Sequence, residues 1–261
     1  MRIIVCAKHV TDSTEIRWDD ERGEVVLRNL PTKISDYDRN AIEAAVVLKE
    51  QGDDVELEVV MVGGEAAVKT LKEAVAMGAD KGYLVEGGWD DPFDPVRGAR
   101  VLARAIEAID DADLVMCGLV SEDGYNGITG AALAQLLERP YLAPVVGLEP
   151  GEETVRATLD LGDVLRTVET PLPCVLGIDS SMNVPRLPTV LQVMKVKGDR
   201  VGTLKLADLG LAPGALGELA GGVELAGLGS SAVERKRIVL EGAAEEAAAA
   251  LVAALKEEGV L

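Results

Sequence analysis

The residues best suited to chemistry stand together in one stretch, GLVSEDGYNGITG, residues 118–130. Gly124, Gly127 and Gly130 recur every third position, which lets a backbone approach a ligand closely. Free amides at the mouth of the alanine-rich segment that follows favour an anion, and Thr129 adds a hydroxyl donor. Those features suit a phosphate, yet Glu122 and Asp123 lie in the same loop and a carboxylate repels phosphate. Glu122 is read first as a cap or a partner of the helix dipole. Asp123 is read first as an acceptor from ribose hydroxyls or an adenine amino group, with capping as its alternative. An ordinary glycine-rich turn accounts for the glycines as well as a cradle does.

Other chemistries find less support. The turn after the first strand, KHVTDS, has no G-x-G-x-x-G, and no G-x-x-x-x-G-K-[ST] occurs anywhere, which argues against a dinucleotide Rossmann enzyme and a P-loop NTPase. His9 is the only histidine, so a Ser/His/Asp or Cys/His mechanism would have to run through it, and a metal site would lack a second imidazole. Its place just after a short apolar strand suggests a structural or ligand-edge role. Cys6, Cys117 and Cys174 are far apart, each in an apolar run, which reads as three buried, inert thiols rather than a disulfide framework or a metal cluster.

The chain of 261 residues suffices for one large domain, or one domain and an extension. With one Phe, two Trp and four Tyr, its core must be built from Val, Leu, Ile and Ala. A formal charge of −19 repels nucleic acid and anionic membranes. The opening MRIIVCAKHV is too short and polar for a signal peptide, and no apolar run is long enough for a membrane span. The expectation is a soluble, cytoplasmic protein without membrane insertion.

The elements that must position the loop are legible in the hydrophobic pattern. Strands are expected at RIIVCAK (2–8), VELEVVMVGG (55–64), GYLVEG (82–87) and ADLVMCG (112–118). Helices are expected at 35–54, 65–80, 94–109 and 127–139, and TEIRWDDERGEVVLRN (14–29) reads as an exposed hairpin. This alternation predicts an α/β fold, a parallel sheet flanked by helices, with ligands bound beyond the carboxyl ends of its strands. After residue 140 the text turns to strands and turns. PRLPTVLQVMKVK (185–197) is either a core strand or an exposed hydrophobic anchor, since Pro185 and Pro188 disfavour a regular central strand. Residues 206–231 read as a glycine-rich extended arm, and 242–261 as a terminal helix; an arm and helix with so little core of their own are expected to pack on something else.

Taken in order, VCAKHVTDSTEIRWD, YDRNAIEAAVVLKE, AMGAD, DLVMCG, VETPLPCV, VPRLPTVLQVMKVK and EEAAAALVAALKEEGVL make the chain similar, across essentially its whole length, to the beta subunit of electron transfer flavoprotein. The resemblance implies an adenine nucleotide alpha-hydrolase-like domain (1–205) carrying a docking loop (178–200), and a C-terminal arm and helix (206–261) that pack on an alpha subunit. It implies a heterodimeric electron carrier rather than a stand-alone enzyme. FAD in the alpha subunit would take electrons from acyl-CoA or other flavin dehydrogenases and pass them to a quinone reductase or similar acceptor. The beta subunit would hold AMP or, in electron-bifurcating relatives, a second FAD that accepts hydride from NADH. The implied nucleotide contacts are Cys6, Ser35, Asp36, Tyr37, Asp38, Val62, Gly118, Asp123, Gly124, Tyr125, Asn126, Gly127, Ile128 and Thr129. The implied docking residues are Pro185, Arg186, Val190, Leu191 and Met194. Asp123-Gly124 follows the bifurcating pattern and Thr129-Gly130 the AMP pattern. The question passes to Tyr125 and Ile128, which either close the pocket over AMP or leave room for a flavin.

Overall fold

The computed structural model describes residues 1–26, 28–52, 54–86, 94–211, 226–229 and 236–261. They form two compact units, Met1–Leu228 and Gly229–Leu261. In the first unit, strands β1 (Arg2–Cys6), β6 (Glu56–Val62), β7 (Lys81–Glu86) and β8 (Leu114–Gly118) alternate with helices α1 (Asp36–Gln51), α2 (Ala67–Met77) and α3 (Pro95–Ile109). Helix α4 (Thr129–Leu136) follows β8. Next come β9 (Tyr141–Pro150), β10 (Thr154–Asp160), β11 (Leu165–Pro171), β12 (Cys174–Ile178), a short α5 (Val190–Met194) and β13 (Val201–Lys205).

Among the described residues these strands form one sheet in the order β11-β10-β9-β12-β8-β1-β6-β7-β13. Every pairing is parallel except β9 with β10 and β10 with β11. The sheet is therefore mostly parallel, with a three-stranded antiparallel meander at one edge. The meander obeys one-sided burial: Val155, Ala157 and Leu159 are buried, while Arg156 and Asp160 are exposed.

Central strands are covered on both faces, which explains their unbroken apolar text. Ile3 and Val5 pack with α1 and α2, whereas Ile4 and Cys6 point into the cluster with α3 and α4. Helix α2 stops at Gly78, whose φ of +143° and 2.9 Å approach of a notional Cβ to Val46 leave room for no other residue without strain. The predicted hairpin is present as β3 (Arg17–Asp19) paired antiparallel with β4 (Glu24–Val26). A second small pairing joins β2 (His9–Thr11) to β5 (Thr32–Ile34).

Leu206, Leu209 and Leu211 are buried in the α3/α4 cluster, so the first residues of the expected arm belong to the core of this unit. Much of the remaining arm, 212–225 and 230–235, lies outside the described residues. The second unit contains α6 (Ala244–Glu257), which buries no side chain and exposes Leu251 and Val252. Among the described residues no helix is long and apolar enough to cross a membrane.

Candidate functional site

Strand order reverses at β1: the chain runs outward through β6 and β7, then returns over α3 to β8 on the opposite side. Where neighbouring strands feed helices on opposite faces, their carboxyl ends leave a crevice. A cleft opens at that point, with about 780 Å³ of atom-free space that includes open solvent. Its floor is the ends of β1 and β8, where Cys6 stands in register with Cys117. Val62 closes one side, Asp94, Pro95, Gly98 and Leu102 of the α3 region another, and residues 118–121 and 126–129 the third.

Each boundary has a local cause. Helix α3 begins at Asp94, whose carboxylate accepts the N–H groups of Val96 and Arg97, with Pro95 at the first helical position. Helix α4 has no side-chain cap, so its first backbone amides are the donors this end of the cleft offers. Gly127 supplies the left-handed turn before it, at φ +63°. Gly118 must be small because a Cβ there would meet the Asp38 carboxylate and the Tyr37 Cβ at 2.7 Å.

The Asp38 carboxylate, almost wholly buried, accepts the Lys8 N–H at 2.8 Å and the Gly118 N–H at 2.9 Å. Burial pushes this carboxyl up to about 7 against the pull of those donors and of the Lys8 charge. The thiols are also held in their protonated forms by burial: Cys6 is raised well above the ordinary value, and Cys117 is pushed up to about 12. Cys174, pushed up to about 11 by burial, belongs to the other face of the sheet. All three are free thiols, as the apolar runs around them predict.

The two acids of the loop are both engaged. Glu122 lies 3.1 Å from the Lys33 ammonium and accepts the Asp36 N–H at 3.4 Å. Asp123 pairs with Lys8 at 2.8 Å. Tyr125, at φ +49°, is 67% exposed and stands outside the lining, its hydroxyl 3.2 Å from that of Tyr37. Ile128 lines the cleft and remains 43% exposed. Neither bulky side chain seals the mouth.

Of the nucleotide contacts inferred from the sequence, Cys6, Asp38, Val62, Gly118, Asn126, Gly127, Ile128 and Thr129 line the cleft. Ser35, Asp36, Tyr37, Asp123, Gly124 and Tyr125 do not; they form the junction between the loop and the start of α1. The Ser35 hydroxyl there is fully buried and has no hydrogen-bond partner among the described residues. Lys8 and the Asp94–Gly98 segment line the cleft but were not singled out. The Asp-Pro opening of α3 was the available signal, because a crevice at a strand-order reversal is bounded by two helix N-termini. His9 has a structural setting: its Nδ1 is 2.7 Å from the Thr70 hydroxyl, and burial lowers its affinity for a proton.

The residues expected from the resemblance to dock partners gather elsewhere. Residues 185–197 are not a core strand but a proline-flanked segment containing α5, with Val190, Leu191 and Met194 exposed. A Thr189/Gln192 capping box fixes the helix start. Arg186 forks onto Glu43 at 2.8 Å and Glu50 at 2.6 Å, fastening the segment to α1.

Residues 23–209 match the model of the electron transfer flavoprotein domain. The chain is 29% identical over 262 residues to the caffeyl-CoA reductase-Etf complex subunit CarD of Acetobacterium woodii, covering 100% of both proteins. It is 30% identical over 215 residues to the electron transfer flavoprotein subunit beta of Megasphaera elsdenii, covering 79% of each.

Proposed function

The chain belongs to the electron transfer flavoprotein family, on the beta-subunit side, and from that premise we propose that its cleft takes a second FAD, reducible by NADH, in an electron-bifurcating heterodimer. The observation that carries this reading is the open mouth: Tyr125 is engaged with Tyr37 outside the lining, and Ile128 stays partly exposed. The Asp123-Gly124 pair, like that of bifurcating relatives, supports the same reading. So does the full-length likeness to a subunit of a reductase-Etf complex.

The residues present fit such a group. Uncapped amides at Thr129, the turn at Gly127 and the Lys8 ammonium suit a phosphate. Ala7, Val62, Leu102, Leu119 and Val120 provide an apolar wall for a ring system. When bound, a flavin supplies the hydride-accepting and electron-passing chemistry. The chain's own work is positional. Asp38 ties the ends of β1 and β8, Glu122 fastens the loop through Lys33 and the Asp36 amide, and the buried floor keeps water from one side of the ligand. In this reading the exposed face of α5 docks electron-donating dehydrogenases or reductases, and the terminal helix α6 packs on the alpha subunit, which carries the other FAD.

A second reading, AMP in the cleft with the sole FAD in the alpha subunit, is favoured by Thr129-Gly130, which follows the AMP pattern. Denaturing the purified heterodimer and analysing released nucleotides separates the two. Two FAD and no AMP per heterodimer, with bleaching of both on NADH addition, is the expected result. One FAD and one AMP would overturn the bifurcating reading.

A further inference from the structure

Lys8 is the only basic side chain among the described residues that line the cleft. Both oxygens of Asp123 hold its ammonium, at 2.8 and 2.9 Å, although Asp123 itself is not part of the lining. The lining acids are occupied in other ways: Asp38 accepts two backbone N–H groups, and Asp94 caps α3. A phosphate entering between these walls therefore has one side-chain cation to draw on, and that cation already has a carboxylate. The loop does not need the Lys8–Asp123 pair to stay in place, since Glu122 anchors it independently to Lys33 and to the Asp36 amide.

From this we infer that Asp123 is a built-in competitor of the nucleotide phosphate: it pairs with the Lys8 ammonium and yields it when the phosphate arrives. The inference rests on the nucleotide reading above and assigns to Asp123 the opposite role from a sugar contact. A carboxylate accepting from ribose strengthens binding, whereas one that must surrender a cation weakens it. The exchange needs no large movement, because Gly124 follows Asp123 directly and the ion pair is partly solvated, with side-chain exposures of 30% and 16%.

The test is calorimetric titration of AMP and of FAD into the full-length chain purified with its partner subunit and dialysed free of nucleotide. Asp123→Asn is expected to tighten binding about fivefold, the order of a partly exposed ion pair. Lys8→Met is expected to weaken it, and Asp123→Asn added to Lys8→Met to change nothing further. Asp123→Ser serves as the second variant if the asparagine one unfolds. Weaker binding in Asp123→Asn would overturn the exchange in favour of a ligand contact or a structural strap. A gain of equal size in the Lys8→Met background would overturn it in favour of a general field effect. If the wild type binds neither AMP nor FAD, the nucleotide reading itself fails and the exchange falls with it.

Discussion

One oxygen of the Asp38 carboxylate accepts the Gly118 N–H at 2.9 Å, across the crevice where the strand order reverses. Its other oxygen takes the Lys8 N–H at 2.8 Å, so a single buried side chain ties together the ends of β1 and β8. Backbone donors that would otherwise face an apolar floor are satisfied, and the two strand ends are held at a fixed separation. The cost is a carboxyl pushed up by burial from 3.8 to about 7.

That shift makes stability depend on pH in a defined direction. Between 3.8 and about 7 the folded chain keeps a proton on Asp38 that the unfolded chain has released. The Asp38 contribution is therefore fully present below the unfolded value, is lost as pH rises toward 7, and is level above it. Asp38→Asn removes that component, with a slope no steeper than about 1.4 kcal/mol per pH unit. Urea denaturation of both proteins in buffers from about pH 5 to about pH 8 reads the difference. Parallel curves for the two would refute the assignment.

Gly118→Ala places a Cβ 2.7 Å from the Asp38 carboxylate and 2.8 Å from the Tyr37 carbonyl carbon. Because one obstacle is backbone at the start of α1, no rotamer change relieves the clash. A loss of about 1–3 kcal/mol in stability is expected, together with lower nucleotide content after purification. An alanine variant with wild-type melting and nucleotide content would show that the crevice tolerates more spreading than its contacts suggest.

Tyr125 tests the open mouth. Its hydrogen bond is the largest cause of the raised Tyr37 phenol, so Tyr125→Phe should bring the Tyr37 titration back toward the ordinary 10.0, read by absorbance at alkaline pH. Nucleotide content should stay unchanged, because Tyr125 is outside the lining. Loss of nucleotide in Tyr125→Phe would mean that the hydroxyl turns inward to the ligand, and the open-mouth argument for a flavin would fail.

The sequence carried the fold further than it carried the site. Strict apolar runs at β1, β6 and β8 and the glycine stop of α2 are local signals, and the elements appear where those signals place them. Leu206, Leu209 and Leu211 were missed as core because their burial comes from long-range packing with the α3/α4 cluster, which no local periodicity encodes. In the site, glycines and the uncapped helix start were readable, since backbone geometry writes itself into residue type. The engagement of Glu122 with Lys33 and of Asp123 with Lys8 was not, because those partners lie far off in sequence and any of several cations could have met them. Lys8 itself escaped notice as an ordinary residue after a strand, and only the strand-order reversal gives it a cleft to line.

The docking proposal separates contact from support. Val190, Leu191 and Met194 present an apolar face to solvent, being 77%, 60% and 78% exposed. Val190→Asp should leave the thermal midpoint unchanged while slowing electron transfer from a partner dehydrogenase at least about tenfold, as loss of an interface anchor does. Arg186 is different. It lies beneath the segment, bonded through its fork to Glu43 and Glu50, and lysine cannot reproduce two bidentate pairs. Arg186→Lys should therefore lower the thermal midpoint and slow transfer by a smaller factor, because the helix is loosened rather than blunted. Stopped-flow reduction of the heterodimer at rising donor concentration distinguishes the two variants. Val190→Asp should fail to saturate, and Arg186→Lys should approach the wild-type limit at high donor. If Val190→Asp transfers electrons at the wild-type rate, α5 is not the docking surface, and its exposed apolar face needs a different occupant.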